Sequence, residues 1–203
     1  MHNSSGTVIA SNDNWQTDIG ATFMQQNDLA PGNPSESAAL VASLAPGAYT
    51  VVVRGQNSTE GISLAEVYEI YGPGLNSKLT NVSGRSFVGV DDNVLISGFI
   101  VGDLDSATVV VRALGPSLGS FGVSQPLSDP ILTIYDSKGS VIATNDNWQN
   151  DNYANLVQQN GLAPPNALDS ALVLHLPAGS YTAIVRGANG ATGNALLEVY
   201  HLD

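Results

Sequence analysis

The chain has 203 residues, no cysteine, and six basic residues against eighteen acidic ones, giving a formal net charge of −12. This acidity disfavours nucleic-acid binding and membrane adsorption, because phosphate backbones and anionic lipids repel a negatively charged protein. The lack of cysteine excludes a disulfide framework and thiolate chemistry, and no stretch approaches the roughly 20 apolar residues that a transmembrane helix needs.

A long internal repeat organises the chain. Residues 6–68 begin GTVIASNDNWQ and return as residues 139–200, which begin GSVIATNDNWQ. The offset is 133 residues and becomes 132 after one residue drops out near Ala39. A period of this length indicates an array of folded modules rather than a short solenoid repeat. It also provides an internal test, because a residue that every module needs should occur in both copies.

The first copy predicts four strands and one helix. Runs of β-branched and aromatic residues between turn signals predict strands near residues 7–11, 37–44, 47–55 and 62–70. Asp18 to Leu29 predicts a short helix after the NDNW motif, with Phe23 and Met24 on its apolar side. A Gly- and Pro-rich segment at residues 71–77 then predicts a boundary.

The second copy is preceded by further strand-like sequence and therefore predicts a complete module. Its strands are predicted near residues 86–90, 93–101, 107–114, 130–135, 140–144, 170–176, 180–187 and 194–201, as in an all-β sandwich. Asp151 to Leu162 predicts a second short helix, with Tyr153, Leu156 and Val157 on one side. Gly161 stands where a helix C-cap is expected.

These segments predict one and a half repeat units. Residues 1–72 form the orphan C-terminal half of a sandwich, 73–80 a linker and 81–203 a complete β-sandwich module. Half a sandwich exposes apolar faces and unpaired strand edges, which soluble proteins avoid. We therefore expect residues 1–70 to bind another surface by strand addition or a shared core. The partner is a second copy, in dimers or fibres, or a neighbouring repeat of a longer chain; the complete module of the same chain is the less favoured alternative, because that module should already satisfy its own core.

Two stretches carry a family resemblance. LTIYDSKGSVIATNDN, followed by DSALVLHLPAGSYTAIVRGANGATGNALLEVY, resembles the bacterial pre-peptidase C-terminal domain over residues 130–200 and, through the repeat, over 6–68. FVGVDDNVLISGFIVG and VVVRALGPSLGSFGV are similar to a unit repeated in very large secreted proteins of environmental bacteria. The resemblance implies an all-β, jelly-roll-like or Greek-key sandwich, appended to secreted or surface proteins and serving a binding or solubilising role.

The two NDNW loops, Asn12–Trp15 and Asn145–Trp148, are the candidate metal sites. Clustered Asp and Asn oxygens suit Ca²⁺, which takes six to eight oxygen ligands. The candidate ligands are Asp13, Asn14, Asp18, Asp146, Asn147 and Asp151. The alternative is that these Asp and Asn side chains form Asx turns and cap the following helix, while the tryptophan fills the core. Calcium is the only cofactor that the sequence suggests.

A charged pair recurs in both copies. Arg54 and Glu66 in the first, and Arg186 and Glu198 in the second, are predicted to lie on adjacent strands of a final hairpin. This arrangement predicts a cross-strand ion pair rather than an anion site.

The sequence predicts no catalytic residue. None of the three histidines, His2, His175 and His201, is shared by the copies, which excludes a repeated histidine-based site. Gly115-Pro-Ser-Leu-Gly119 superficially resembles a nucleophile elbow, but that motif needs a strand-to-helix turn in an α/β sheet. A single-site hydrolase using Ser117 or Ser120 is thus only a remote alternative.

The sequence therefore predicts a non-catalytic β-sandwich repeat with a structural, adhesive or assembly role, stabilised by calcium if the loops bind it. We expect it on the bacterial cell surface or outside the cell, with no signal peptide in this chain. The alternative is a carbohydrate-binding module of a secreted hydrolase, with a polysaccharide as partner. That function needs exposed aromatic side chains. The exposure of Trp15 and Trp148 should therefore distinguish the two.

Overall fold

A computed structural model describes residues 1–33, 37–70, 79–102 and 106–202. The chain divides into two compact units, Met1–Ser77 and Lys78–Asp203, called the first and second units below. The boundary predicted at residues 71–77 lies outside the described residues.

The second unit is a sandwich of two antiparallel four-stranded sheets. Its strands are β1 (Asn81–Val88), β2 (Leu95–Val101), β3 (Ala107–Leu114), β4 (Pro130–Tyr135), β5 (Val141–Asn145), β6 (Ser170–Leu176), β7 (Gly179–Gly187) and β8 (Gly193–His201). The strand orders are β1-β8-β3-β6 and β2-β7-β4-β5. This is the arrangement of an eight-stranded jelly roll, as the sequence predicted. The predicted strands correspond to the observed ones, with ends that differ by a few residues.

The strands of the second half of this unit never pair with one another. Strand β6 pairs with β3, β7 pairs with β2 and β4, and β8 pairs with β1 and β3. Of these four strands, only β5 pairs with a strand next to it in the sequence, namely β4. Every ladder of β6, β7 and β8 therefore needs a strand from the segment before residue 136.

Strand β3 is covered on both of its faces. Val109 and Val111 point into the core between the two sheets. Val110 packs on the other face against Trp148 and Val157. Trp148 belongs to a short 3₁₀ turn, and Val157 to the helix α2 (Ala154–Gln159). Burial on both sides explains why the sequence of β3, ATVVVRAL, is almost continuously apolar.

The first unit keeps the same helical segment but, within 1–33 and 37–70, no strand. A 3₁₀ turn at Trp15–Thr17 leads to the helix α1 (Ala21–Gln26). This confirms a short helix after each NDNW loop. Met24 and its counterpart Val157 are buried, whereas Phe23 and Tyr153, predicted on the apolar side, are exposed.

The strands predicted at 7–11, 37–44, 47–55 and 62–70 are wrong for the first unit as the structure shows it. The reason follows from the jelly-roll order, because counterparts of β6, β7 and β8 have no partner strands among themselves. The isolated bridges that the first unit does form have the same register as the corresponding ladders of the second unit. His2 forms isolated bridges with Val8 and Thr50.

These two bridges have direct counterparts in the second unit. There Tyr135, at the position of His2, pairs with Val141 and Thr182, which stand at the positions of Val8 and Thr50. The repeat therefore extends in the structure to His2, which the sequence had placed outside it.

Candidate functional site

A partly buried polar cluster centred on Arg112 links the two halves of the second unit. Its Nε donates to Glu198 Oε2 at 2.5 Å. One terminal nitrogen donates to the Leu162 carbonyl at 2.7 Å and the other to Tyr200 Oη at 3.0 Å. The guanidinium carbon also lies 5.0 Å from the centre of the Tyr200 ring. Arg112 thus joins β3 to β8 and to the loop after α2.

Tyr200 completes the cluster by donating its hydroxyl hydrogen to Glu198 Oε1 at 2.8 Å. Burial raises the pKa of Tyr200, and the hydrogen bond to the Glu198 carboxylate raises it further. The two oxygens of Glu198 are therefore divided between one neutral donor and one cationic donor. Burial of this carboxylate is tolerated because both of its oxygens are hydrogen-bonded, and loss of either donor would leave a costly unpaired oxygen.

The first unit contains the counterparts of Glu198 and Tyr200, the two side chains that Arg112 binds in this cluster. Tyr68 Oη donates to Glu66 Oε1 at 2.9 Å, as Tyr200 does to Glu198. This hydrogen bond raises the pKa of Tyr68. Leu29 stands at the position of Leu162. Among the described residues, however, no cation pairs with Glu66, and both side chains are exposed.

The predicted ion pair between Arg186 and Glu198 is wrong. Arg186 lies on β7 and Glu198 on β8, and these consecutive strands belong to opposite sheets of the sandwich. No final hairpin exists, so the two side chains cannot meet across a ladder. Glu198 pairs with Arg112 instead. Arg54 and Glu66 do not pair in the first unit either, where both are described.

Arg112 was not among the residues predicted from the sequence, although a signal was present. A single arginine interrupts the run of β-branched residues in β3, and a strand of that composition is typical of a buried sheet position. A charged side chain at such a position requires a partner, because an unpaired buried charge is costly.

Matched hydrogen bonds hold the NDNW loop and the helical segment after it in place in each unit. Asn145 Oδ1 accepts from the Ala171 amide at 3.1 Å, and Asn12 Oδ1 accepts from the Ala39 amide at 3.2 Å. Asp151 Oδ1 accepts from the Tyr153 amide, and Asp18 Oδ1 from the Gly20 amide, both at 2.8 Å. The two aspartates thus form the Asx turns that the sequence offered as the alternative to metal binding, but no side chain caps α1 or α2, so the capping part of that alternative is wrong.

The other predicted ligands are more open. Asp13 Oδ2 accepts from Gln56 Nε2 at 2.9 Å, and Asp13 and Asp18 line one open depression of about 440 Å³. In the second unit, burial and, to a lesser extent, the charge of Asp146 raise the pKa of Asp129. Asp129 Oδ1 is buried without a hydrogen-bond partner in the described structure. A cation near Asp146 would relieve this repulsion.

Calcium at these loops stays a prediction. In the ranges that the structure describes, no three His, Asp or Glu side chains lie close enough together to hold a metal ion. Asn14 and Asn147 contribute backbone carbonyls to the 3₁₀ turns that follow them. Ca²⁺ bound here would therefore need carbonyl oxygens or water for most of its six to eight ligands.

Chelation tests this prediction directly. If the loops bind Ca²⁺, EDTA should lower the melting temperature and added Ca²⁺ should restore it, because a ligand of the native state alone stabilises that state. Asp146→Ala should remove most of the effect, and Asp13→Ala serves as the matched change in the other copy. Identical melting curves with and without chelator would leave these residues only their structural role.

The histidine and serine side chains form no catalytic arrangement in the described structure. His175 Nδ1 lies 3.0 Å from Thr108 Oγ1, and its ring packs edge-on against Tyr153. Ser117 Oγ is buried without a hydrogen-bond partner, while Ser120 Oγ donates to the Ser117 carbonyl at 2.7 Å. A nucleophilic serine needs a base within hydrogen-bonding reach, and neither hydroxyl has one.

The two tryptophans are buried. Trp15 is 4% exposed and Trp148 is 5% exposed. The amide nitrogen of Trp15 donates to the Ser37 carbonyl, and that of Trp148 to the Asp169 carbonyl, both at 2.9 Å. The Trp148 indole packs with Val157 of α2. Neither tryptophan offers a face on which a sugar ring could stack.

Comparison with known proteins returns solved structures alone. No protein-family model matches the chain, and no curated protein matches it. The chain is similar to the pre-peptidase C-terminal domain of collagenase from Bacillus anthracis, with 12% identity, a TM-score of 0.37, and coverage of 59% of this chain and 88% of that one. It is also similar to a chain of the Bacillus endospore appendages described as disulfide-linked pili, with 10% identity, a TM-score of 0.22, and coverage of 66% and 100%.

The sequence-based resemblance to pre-peptidase C-terminal domains thus recurs among the structural matches. At these TM-scores the matches carry no argument about function, and the fold assignment rests on the strand order itself. Among the described residues, no helix has the length and apolar character needed to cross a membrane.

Proposed function

We propose that this chain is a non-catalytic, extracellular β-sandwich repeat of a bacterial surface or secreted protein, and that its role is assembly. The second unit is a jelly roll that satisfies its own ladders. The first unit has the second half of the same module and is completed by a partner. Self-association into dimers or fibres and binding to neighbouring repeats are two forms of this one function.

The observation that supports the proposal is the different burial of identical residues in the two copies. Val185 is fully buried, but its counterpart Val53 is 54% exposed. Leu176 is 4% exposed, but its counterpart Leu44 is 46% exposed. The tryptophans, by contrast, are equally buried in both copies. The surface that β1 to β4 cover in the second unit is thus open in the first.

Local geometry shows that the first unit is not simply disordered sequence. Tyr49 Oη donates to the Ala45 carbonyl at 2.8 Å, as Tyr181 Oη donates to Pro177. Asn57 and its counterpart Asn189 both have a φ of 53° in the same 3₁₀ turn. The turns and the helical segment are therefore in place, and what is open is an apolar surface of the kind that marks interaction sites.

A sugar-binding role has less support, because both tryptophans are buried. The exposed aromatic side chains that remain, such as Phe87, Phe121 and Tyr153, lie on β1, in the 3₁₀ turn after β3 and next to α2. They therefore share no single element. A hydrolase has less support still, since Ser117 lacks a base.

Solution mass and hydrogen exchange test the proposal together. The sedimentation mass is expected to rise with concentration, and amides of residues 38–55 and 61–69 should gain protection as it rises. Amides of β3 and β8 serve as the internal control, since their protection should be independent of concentration. A compact monomer with protected amides throughout 37–68 would contradict the assembly role.

A further inference from the structure

We propose that the first unit binds an inserted strand equivalent to β3, and that Glu66 and Tyr68 select this strand by binding the arginine that corresponds to Arg112. The occupant is the first-half segment of another repeat of this type. The inference rests on the proposed assembly function and names the partner and the residues that recognise it.

The place of the incoming strand follows from the register of the second unit. There β3 lies between β8 and β6, with Val111 opposite both Val199 and Leu172. The first-unit counterparts of these two residues are Val67 and Leu40. A strand inserted between residues 61–69 and 38–44 would therefore meet the same sequence pattern that β3 meets in its own module.

The charge of the site indicates which strand fits. Glu66 Oε1 is bound by Tyr68, and Oε2 corresponds to the oxygen of Glu198 that takes Arg112 Nε. The first unit therefore contains only the part of the cluster formed by Glu66 and Tyr68. The second unit contains the complete cluster, including the arginine. A guanidinium satisfies two acceptors in a fixed fork geometry, which an ammonium cannot reproduce. An apolar strand with an arginine at this register is thus favoured over a purely apolar one.

The strand comes from another repeat because β1 to β4 of the second unit are already paired with β5 to β8. Moving them to the first unit would leave the second half of the second unit without ladders. Strand exchange between two copies would have the same cost, so copies of this chain alone associate through their open apolar surfaces, and only an additional first half supplies the inserted strand. An additional first half, of the chemistry of residues 81–135, completes the first unit without disrupting the second.

A synthetic peptide tests the inference on the full chain. The probe is residues 106–115, acetylated, amidated and extended with a short polyethylene glycol tail for solubility, and its binding is measured by isothermal titration calorimetry. The matched peptide carries Arg112→Gln, and the matched protein carries Glu66→Gln, a change at an exposed residue. Each change alone is expected to weaken binding by about 30-fold, as for truncation of one partner in a buried charge pair.

The two changes together should weaken binding no more than either alone, because they remove the same interaction. Losses that multiply, or a wild-type peptide that binds equally well to Glu66→Gln, would overturn the inference. So would the absence of binding by a chain that still self-associates, since copies would then pack face to face without an inserted strand. That result would leave the assembly function standing, whereas the compact monomer described above would remove it.

Discussion

Arg112→Met is expected to destabilise the second unit by about 3–5 kcal/mol, the cost of breaking a buried ion pair by removing one partner. The substitution leaves the Glu198 carboxylate buried with an unpaired oxygen. It also removes the hydrogen bonds that Arg112 donates to the Leu162 carbonyl and to Tyr200 Oη. Urea unfolding followed by the fluorescence of Trp148, in a chain carrying Trp15→Phe, measures the effect on this unit alone.

Arg186→Met is the matched control, because Arg186 is an exposed arginine on a strand of the same sandwich. It should change the free energy of unfolding by no more than about 0.5 kcal/mol, as is usual at the surface. Equal effects of the two substitutions would show that Arg112 does not hold the two halves of the module together.

Leu176→Ala is expected to cost about 2–5 kcal/mol, because it removes a buried side chain and leaves a cavity between the sheets. The same substitution at its counterpart Leu44 should cost no more than about 0.5 kcal/mol in the isolated chain, since that side chain is half exposed. Urea unfolding of both variants measures the two free energies.

Binding of the inserted strand should remove this difference between Leu44 and Leu176. With the peptide of residues 106–115 bound, Leu44→Ala is expected to weaken binding, because Ala107 of β3 lies opposite Leu176 in the second unit. If Leu44→Ala were as costly as Leu176→Ala in the monomeric chain, the first unit would already have a closed core, contrary to the exposure seen here.

The sequence predicted the second unit well and the first unit badly, for one physical reason. β-Branched runs between turn residues located all eight strands of the second unit, and the periodicity after each NDNW motif located both helices. The same pattern in residues 37–70 could not form strands, because a strand is a paired state. Propensity describes how well side chains suit a sheet, but it does not supply the neighbouring strand.

The site was missed because pairing between strands that are far apart along the chain is not visible in local sequence. Arg186 and Glu198 are close along the chain, yet β7 and β8 lie in different sheets, so proximity in sequence gave the wrong partner. Arg112 is distant in sequence from Glu198, and only the ladder between β3 and β8 brings them together. The buried positions of Trp15 and Trp148 were foreseen because both follow the same loop and precede a helix.

The strand order also has a consequence for the rate of folding. Of the ladders in the second unit, that between β4 and β5 alone joins strands that are consecutive in sequence, while Asn81 at one end of the module pairs with Tyr200 at the other. Loop closure must be completed before such distant pairs form, and sandwiches of this kind therefore fold in milliseconds to seconds. We expect the β4–β5 hairpin to form first. Strand β1, which pairs with β8 alone, must then wait until the ribosome has released β8, the last strand of this module to be synthesised.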